Sequence, residues 1–331
     1  MIRIPATLSG ALLAAALVPA HALEATPNAA GDYCGDEGVW LQVLGSGGPE
    51  IDDGAAGPAY LVWHDGRARV LVDAGPGASV NFDRARAEFE DLDAIVVTHL
   101  HVDHVNDLPA LLKGSRYLER RFMLPVLGPE GNDVAPGLTA WVRAVFEAGG
   151  SPYPYLSDVL EPISGAGYRL SVRDVPAVGR ERWSGFRRED LRLAAIPVEH
   201  GDFPALAWRV EIGEQVITFT GDASNRKQTI EELAEGSDVL VVHHAVHEAI
   251  RGPLRDLYMP PSQIGKLAAA VDPRFVVLSH RMNRTRGRES QSRREIEARW
   301  NGSLIFANDL DCYGLGPAHP PEGGDEADAA R

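Results

Sequence analysis

The sequence predicts an α/β fold in which helices cover β-sheets, and three observations carry that expectation. Short runs rich in β-branched residues recur along the chain, and stretches with helical apolar spacing lie between several of them. The early runs follow one another hairpin-fashion, whereas the later ones alternate with helices, which an all-β sandwich would not do.

In chain order, VWLQVLG (39–45), AYLVW (59–63) and ARVLVD (68–73) read as strands, with DGR (65–67) turning between the last two. Helical spacing over 81–90 leads to the strand AIVVT (94–98), and a second helix is expected over 107–118, capped by Asp107 with Pro109 in its first turn. A third helical stretch, 137–148, falls inside 128–190, the least regular part of the chain. That segment is rich in Gly, Pro and aromatic residues (GGSPYPYL at 149–156) and is expected to be a loop-rich insertion that shapes a pocket. Strands follow at LRLAAIPV (191–198), LAWRVEI (206–212), QVITFTGD (215–222), DVLVVHH (238–244), FVVLSH (275–280) and SLIF (303–306), with helical spacing at 227–235, 262–271 and 290–300.

The ends differ in composition from the body, residues 23–316, which is expected to be a single domain. Arg3 precedes TLSGALLAAALV and then Ala20-His21-Ala22, the small-x-small form of a cleavage site, so residues 1–22 read as a cleavable export signal. Its apolar core is about a dozen residues, short of the ~20 that span a bilayer, so no stable membrane span is expected. The mature protein is therefore expected in the periplasm or secreted. The Pro/Gly/acid-rich tail, 317–331, is expected to be disordered.

Net charge is −15, and removing residues 1–22 takes away Arg3 and no acid, leaving −16. Such a chain repels phosphate, and nucleic acid is not expected as a partner. The arginine groups at Arg281, Arg284, Arg286 and Arg288, and at Arg116, Arg120 and Arg121, read as solvated charge. Cys34 and Cys312 sit near opposite ends of the mature chain, and spacing alone does not decide between one disulfide and two thiols.

The chemistry gathers where strands stop. AIVVT runs into His99, AAIPV into Glu199-His200, VITFTG into Asp222 and FVVLS into His280. Strand ends on one rim let a rigid scaffold aim groups from distant parts of the chain at one point. Within THLHVDHVND (98–107), His99 and His101 are two apart and point the same way in extended backbone, while Asp103 and His104 follow in a turn that faces a second point. Imidazole mixed with carboxylate suits zinc, with iron or manganese as alternatives. A carboxylate shared by two cations leaves room for a water that they acidify into a nucleophile.

HLHVDH (99–104) matches the HxHxDH signature of the metallo-β-lactamase-fold hydrolases, and His200, Gly221-Asp222 and the His280 of LSHR follow in the family's order. LGSGGP (44–49), YLVW (60–63), LVDAGPG (71–77), HVDHVNDLPALL (101–112), VLGPEG (126–131) and FTGDAS (219–224) more narrowly resemble the ribonuclease Z, arylsulfatase and phosphodiesterase branch, over roughly 39–310. The resemblance implies a four-layer αβ/βα sandwich with two divalent metal ions, zinc foremost and manganese or iron as alternatives, at one edge. It assigns His99, His101 and His200 to one ion, Asp103, His104 and His280 to the other, and Asp222 to both. An Asp at position 222, where true metallo-β-lactamases typically carry Cys or Ser, argues against antibiotic hydrolysis as the main activity.

The departures from ribonuclease Z are local. His244 stands where that family has the Glu of a His-Glu-Ala run, and LYMPPSQIGK (257–266) has no counterpart of the family's further His. No Gly- and Lys-rich arm for transfer RNA is evident. The expected protein is thus an exported dinuclear hydrolase of a small ester, most readily a phosphodiester or sulfate ester. Its chemistry uses a hydroxide bridging the two ions, with Asp103 accepting a proton and His244 assisting the leaving group. Lactone or β-lactam hydrolysis, and a non-catalytic exported protein that binds metal or ligand, are the alternatives; homodimerisation is left open. His243 and His247 read as partners of the ligands, substrate contacts or surface residues. Tyr153, Tyr155, Trp141 and Trp183 read as pocket walls or as packing.

Overall fold

Alternation of apolar side chains along each strand builds the layers of this molecule. The computed structural model describes residues 34, 35, 37–161 and 165–315; the expected export signal and tail lie outside them. The strands are β1 (Val39–Gly45), β2 (Ala59–His64), β3 (Arg67–Val72), β4 (Ala94–Val96), β5 (Leu124–Pro129), β6 (Leu170–Val175), β7 (Trp183–Arg188), β8 (Leu191–His200), β9 (Phe203–Ile212), β10 (Gln215–Phe219), β11 (Val239–His243), β12 (Phe275–Ser279), β13 (Ser303–Phe306) and β14 (Cys312–Gly314). They form two seven-stranded sheets, ordered β14-β1-β2-β3-β4-β5-β6 and β13-β12-β11-β10-β9-β8-β7. Each sheet is antiparallel over its hairpins and parallel over its crossovers, β3 to β6 in the first and β10 to β13 in the second.

Leu41, Val43, Tyr60, Val62, Val70 and Val72 of the first sheet meet Trp208, Val210, Phe219, Val241 and Val277 of the second in one inter-sheet core. The opposite parity faces outward, where Leu61, Trp63, Leu71 and Ile95 bury the apolar sides of α1 (Ala78–Arg84), α3 (Leu108–Ser115) and α4 (Leu138–Phe146). On the second sheet's outer face, Leu240, Val242, Val276 and Leu278 bury α5 (Ile230–Leu233), α7 (Pro261–Val271) and α8 (Glu289–Glu297). The four layers of the expected αβ/βα sandwich are thus present. Two further helices, α2 (Val102–Val105) and α6 (Leu254–Leu257), are single turns at the rim.

Helix α7 illustrates how sequence sets an element. Pro261 occupies a first-turn position that needs no N–H, and Ile264, Leu267, Ala268 and Val271 recur at the spacing of one helical face. Asp272 ends the helix in the left-handed region at φ 50°. Each fully buried Leu or Ile contributes about 1.5–3 kcal/mol, so Leu267→Ala alone would cost about 2–5 kcal/mol.

The expected loop-rich segment 128–190 is more regular than its composition suggests. It contains the end of β5, α4, and the two edge strands β6 and β7, which close the β5–β6 and β7–β8 pairings. Edge strands need bury only part of their side chains, so WSGFRR of β7 carries little apolar periodicity. Cys34 and Cys312 form a disulfide, with Cα atoms 5.8 Å apart, that ties the chain before β1 to strand β14.

Candidate metal centre

The sequence-predicted ligands converge at the C-terminal ends of the strands. His99, His101, Asp103 and His104 follow β4, His200 ends β8, Asp222 follows β10, and His280 follows β12. Neighbouring loops must come close to these residues. A Cβ on Gly75 would lie 2.2 Å from the Asp103 carbonyl oxygen, and one on Gly48 would lie 2.8 Å from the His280 ring. His280 itself takes φ 51°, reversing the chain directly after β12.

Three imidazole nitrogens meet on one side: His99 Nε2 is 3.0 Å from His101 Nδ1, which is 3.3 Å from His200 Nε2. Asp222 Oδ2 stands 3.7 Å from His99 Nε2 and 3.6 Å from His200 Nε2. Burial is the main cause that lowers the pKa of all three histidines, so they are neutral at pH 7. The His200 Nδ1–H donates to the Leu257 carbonyl at 3.1 Å, which leaves Nε2 as a lone pair facing the others.

On the other side, Asp103 Oδ2 is 3.6 Å from His104 Nε2 and 3.4 Å from His280 Nε2. Asp222 reaches both of these histidines, at 3.8 Å and 3.4 Å. Burial acts to raise both carboxylates. The histidines outweigh it, His280 and His104 beside Asp103 and His280, His243 and His104 beside Asp222, holding Asp103 below its usual range and Asp222 well below. The Nε2 atoms of His104 and His280 are buried without a hydrogen-bond partner. Converging lone pairs, ionised carboxylates and orphaned ring nitrogens fit a pair of divalent cations that share Asp222.

A supporting layer fixes the ligands. Asp73 accepts from the Thr98 N–H at 2.7 Å, the Thr98 hydroxyl at 2.8 Å and the His104 Nδ1–H at 2.8 Å. Burial lowers the pKa of His104, but the charge and hydrogen bond of Asp73, with Asp222 and Asp103, raise it to about 9. His243 engages both ring nitrogens, donating from Nδ1 to Asp222 Oδ1 at 2.6 Å and accepting at Nε2 from the Tyr60 hydroxyl at 3.0 Å. Burial brings its pKa down to about 4, consistent with that neutral tautomer. Its atoms lie close enough to be a ligand, yet with both nitrogens occupied it serves to orient Asp222.

Several expectations are corrected here. His244 does not face the centre: its Nε2 bonds Ser292 Oγ of α8 at 2.9 Å and its ring packs against Phe306. Burial also lowers its pKa to about 4, which removes the proton expected of an acid at neutral pH. Asp107 precedes α3 but makes no side-chain cap there. Its carboxylate instead accepts from the Gly77 and Ser79 N–H groups and the Ser79 hydroxyl, capping α1. Of the two readings of the aromatics, packing holds: Trp141 and Tyr153 pack on Phe146, Tyr155 lies against Tyr153, and Trp183 packs on Trp208.

Tyr258 is a residue that sequence reasoning missed. It is buried, and its ring centroid lies 5.4 Å from that of His200 and 6.0 Å from that of His280. Burial, then the charges of Asp222 and Asp103, push its pKa up, so the phenol keeps its proton. Its only sequence signal was its place one residue before Met259, in a segment read for a missing histidine.

Fold and site together define a metallo-β-lactamase sandwich, a class of metal-dependent hydrolases. Residues 68–281 match the family described as "Beta-lactamase superfamily domain", and the chain belongs to that family. It is similar to the ribonuclease Z of Ignicoccus hospitalis, with 29% identity over 237 residues, 62% of this chain and 74% of that protein. The human tRNase Z short form has the same fold, with a TM-score of 0.66 at 17% identity, covering 84% of this chain and all of that one. A diphosphatase from the PhnP family superposes with a TM-score of 0.58 at 17% identity, covering 83% of this chain and 96% of that one. The name of the first of these stands against the expectation that nucleic acid is not a partner. Among the described residues no helix is long and apolar enough to cross a membrane.

Proposed function

We propose that this protein is an exported, dinuclear metal-dependent hydrolase of small esters, with phosphodiesters or sulfate esters as substrates. The carrying observation is the pair of His/Asp clusters that share Asp222, one with His99, His101 and His200 and one with His104 and His280, whose Nε2 atoms are buried without partners. Two bound divalent cations, zinc foremost, supply Lewis acidity and an acidified water nucleophile. The chain's own residues do the rest. His243 and, behind it, Tyr60 fix the Asp222 carboxylate where it faces both sets of histidines and would help hold the ions. Asp103 presents an ionised oxygen between His104 and His280, where it takes the proton of the attacking water. Tyr258, rather than His244, offers its hydroxyl as a hydrogen bond to the leaving oxygen, since it is the neutral donor that faces the centre. Phe203 packs on His101 at 4.1 Å between ring centroids and braces that ring. The Cys34–Cys312 disulfide supports the exported reading, because such bonds persist in oxidising compartments.

RNA hydrolysis is the second reading, favoured by the named activity of the relatives. The test combines metal content by elemental analysis with turnover of bis-(p-nitrophenyl) phosphate, p-nitrophenyl sulfate, a lactone and nitrocefin, in wild type and Asp222→Ala. Two ions per chain and Asp222-dependent turnover of the phosphate or sulfate ester are expected. Turnover of only the lactone or nitrocefin would reassign the substrate, and fully loaded protein inactive on all four would sink the small-ester reading. Single-stranded RNA, bound at low salt and cleaved, would move the assignment to the second reading.

A further inference from the structure

Next to the second ligand set lies a cleft of about 700 Å³ between the loop that precedes β2 and the start of α1, with Asp103 in its wall. Three large apolar side chains that the fold leaves in water, Ile51, Val80 and Val102, line this one cleft. Single exposed apolar residues are ordinary, but several converging beside a ligand carboxylate mark a place where something apolar is bound. Ionic lining points the same way. Glu50, Asp53 and Asp309 face the cleft against one cation, Arg84. Asp309 is already spent on the Ser46 and Ala56 backbone and the Ser46 hydroxyl, and Asp53 pairs with Arg286. None of these carboxylates attracts a flanking phosphate.

We infer that this cleft is the subsite for an uncharged apolar arm of the substrate, an alkyl or aryl group carried on the ester whose reacting atom sits at the metal centre. The inference rests on the small-ester reading and narrows it: the favoured substrate has one charged reacting group and one hydrophobic substituent, unlike an internal bond of a polynucleotide. Val102 flanks Asp103 directly, so an arm in the cleft and a reacting group at the ligands belong to one molecule of modest length.

The test uses metal-loaded, full-length protein and alkyl p-nitrophenyl phosphodiesters from methyl to hexyl, which share one leaving group. In wild type, kcat/KM is expected to rise roughly two- to fourfold per methylene over the first several carbons, as apolar burial predicts. The variant Ile51→Ser/Val80→Ser is expected to flatten that slope. Both positions are exposed, so its folding is checked simply by circular dichroism. Turnover with no chain-length dependence in wild type would overturn the inference, as would an equal slope in the variant. If no member is turned over, the phosphodiester form of the small-ester reading has failed and the cleft is judged by direct binding of the neutral fluorophore N-phenyl-1-naphthylamine. Binding that weakens at least fivefold in the variant supports the apolar subsite, and absent or unchanged binding refutes it.

Discussion

Proton competition at His104 gives the sharpest check on the proposed centre. Without metal, its pKa of about 9 means that at pH 7 both ring nitrogens carry protons, with Asp73 holding the one on Nδ1. A cation at Nε2 must displace the other proton, which at two units below the pKa opposes binding by about 3 kcal/mol. His99, His101 and His200 are already neutral, and Asp103 and Asp222 already ionised, so they add no comparable term. The sign follows from linkage. The raised pKa of His104 stabilises the metal-free fold fully below its ordinary value of 6.5, and that contribution is lost as pH rises through about 9. Metal affinity moves oppositely, gaining about tenfold per pH unit up to that point from this proton alone. Calorimetry of zinc binding at pH 7 in buffers of different ionisation enthalpy counts the protons released. Asp73→Asn is expected to release about one fewer than wild type, a difference that separates His104 from protons given up by solvent. At pH 8.5 the same variant is expected to bind zinc about 10–100-fold more weakly, because the ring loses its anchor. Equal proton release in both proteins would refute the reasoning.

Three further outcomes follow from particular contacts. Tyr258→Phe is expected to keep its metal content while kcat for an alkyl leaving group falls about 10²-fold or more, with a much smaller loss for p-nitrophenol; equal losses for both would make Tyr258 a support for Asp222 only. Gly75→Ala places a Cβ 2.2 Å from the Asp103 carbonyl oxygen, so elemental analysis is expected to show the ion held by Asp103, His104 and His280 lost in preference to the other. Cys312→Ser removes a cross-link between residues 278 apart in sequence and is expected to lower stability in urea by about 2–5 kcal/mol, a loss that reductant reproduces in wild type and leaves absent in the variant.

Much of this was legible because strands stop where ligands begin. The runs before His99, His200, Asp222 and His280 are strongly apolar, and the polar residues after them had no packing reason to be there. The reading of His244 failed against a rule already in the sequence. Val239, Val241 and His243 share one parity of β11, the parity of the inter-sheet core, while Leu240 and Val242 share the other and meet the helices. Period two therefore sends His243 to the centre and His244 toward α8. Asp73 also left a trace, as a charge ending the apolar run ARVLVD, but its partner His104 lies 31 residues on and only the fold joins them. Tyr60 left none, since a tyrosine in an apolar run reads as core until its hydroxyl's partner is known. Strands β6 and β7 escaped for the opposite reason, being edge strands with half-exposed side chains and weak alternation.

The distribution of rigidity suggests where the activity is set. Asp222 touches both ligand sets and is itself held by His243, so altering Asp222 would disturb both sets at once. The cleft, by contrast, is built from the loop before β2 and the start of α1, whose Ile51 and Val80 bear on no ligand and cost the fold little to change. On the proposed function, chemistry is anchored on strand ends and selectivity on surface loops. The departures from ribonuclease Z around positions 244 and 259 leave the candidate ligands in place. On that view, likeness to ribonuclease Z carries information about the ligands, and the acidic, apolar-rimmed cleft carries the information about what they act upon.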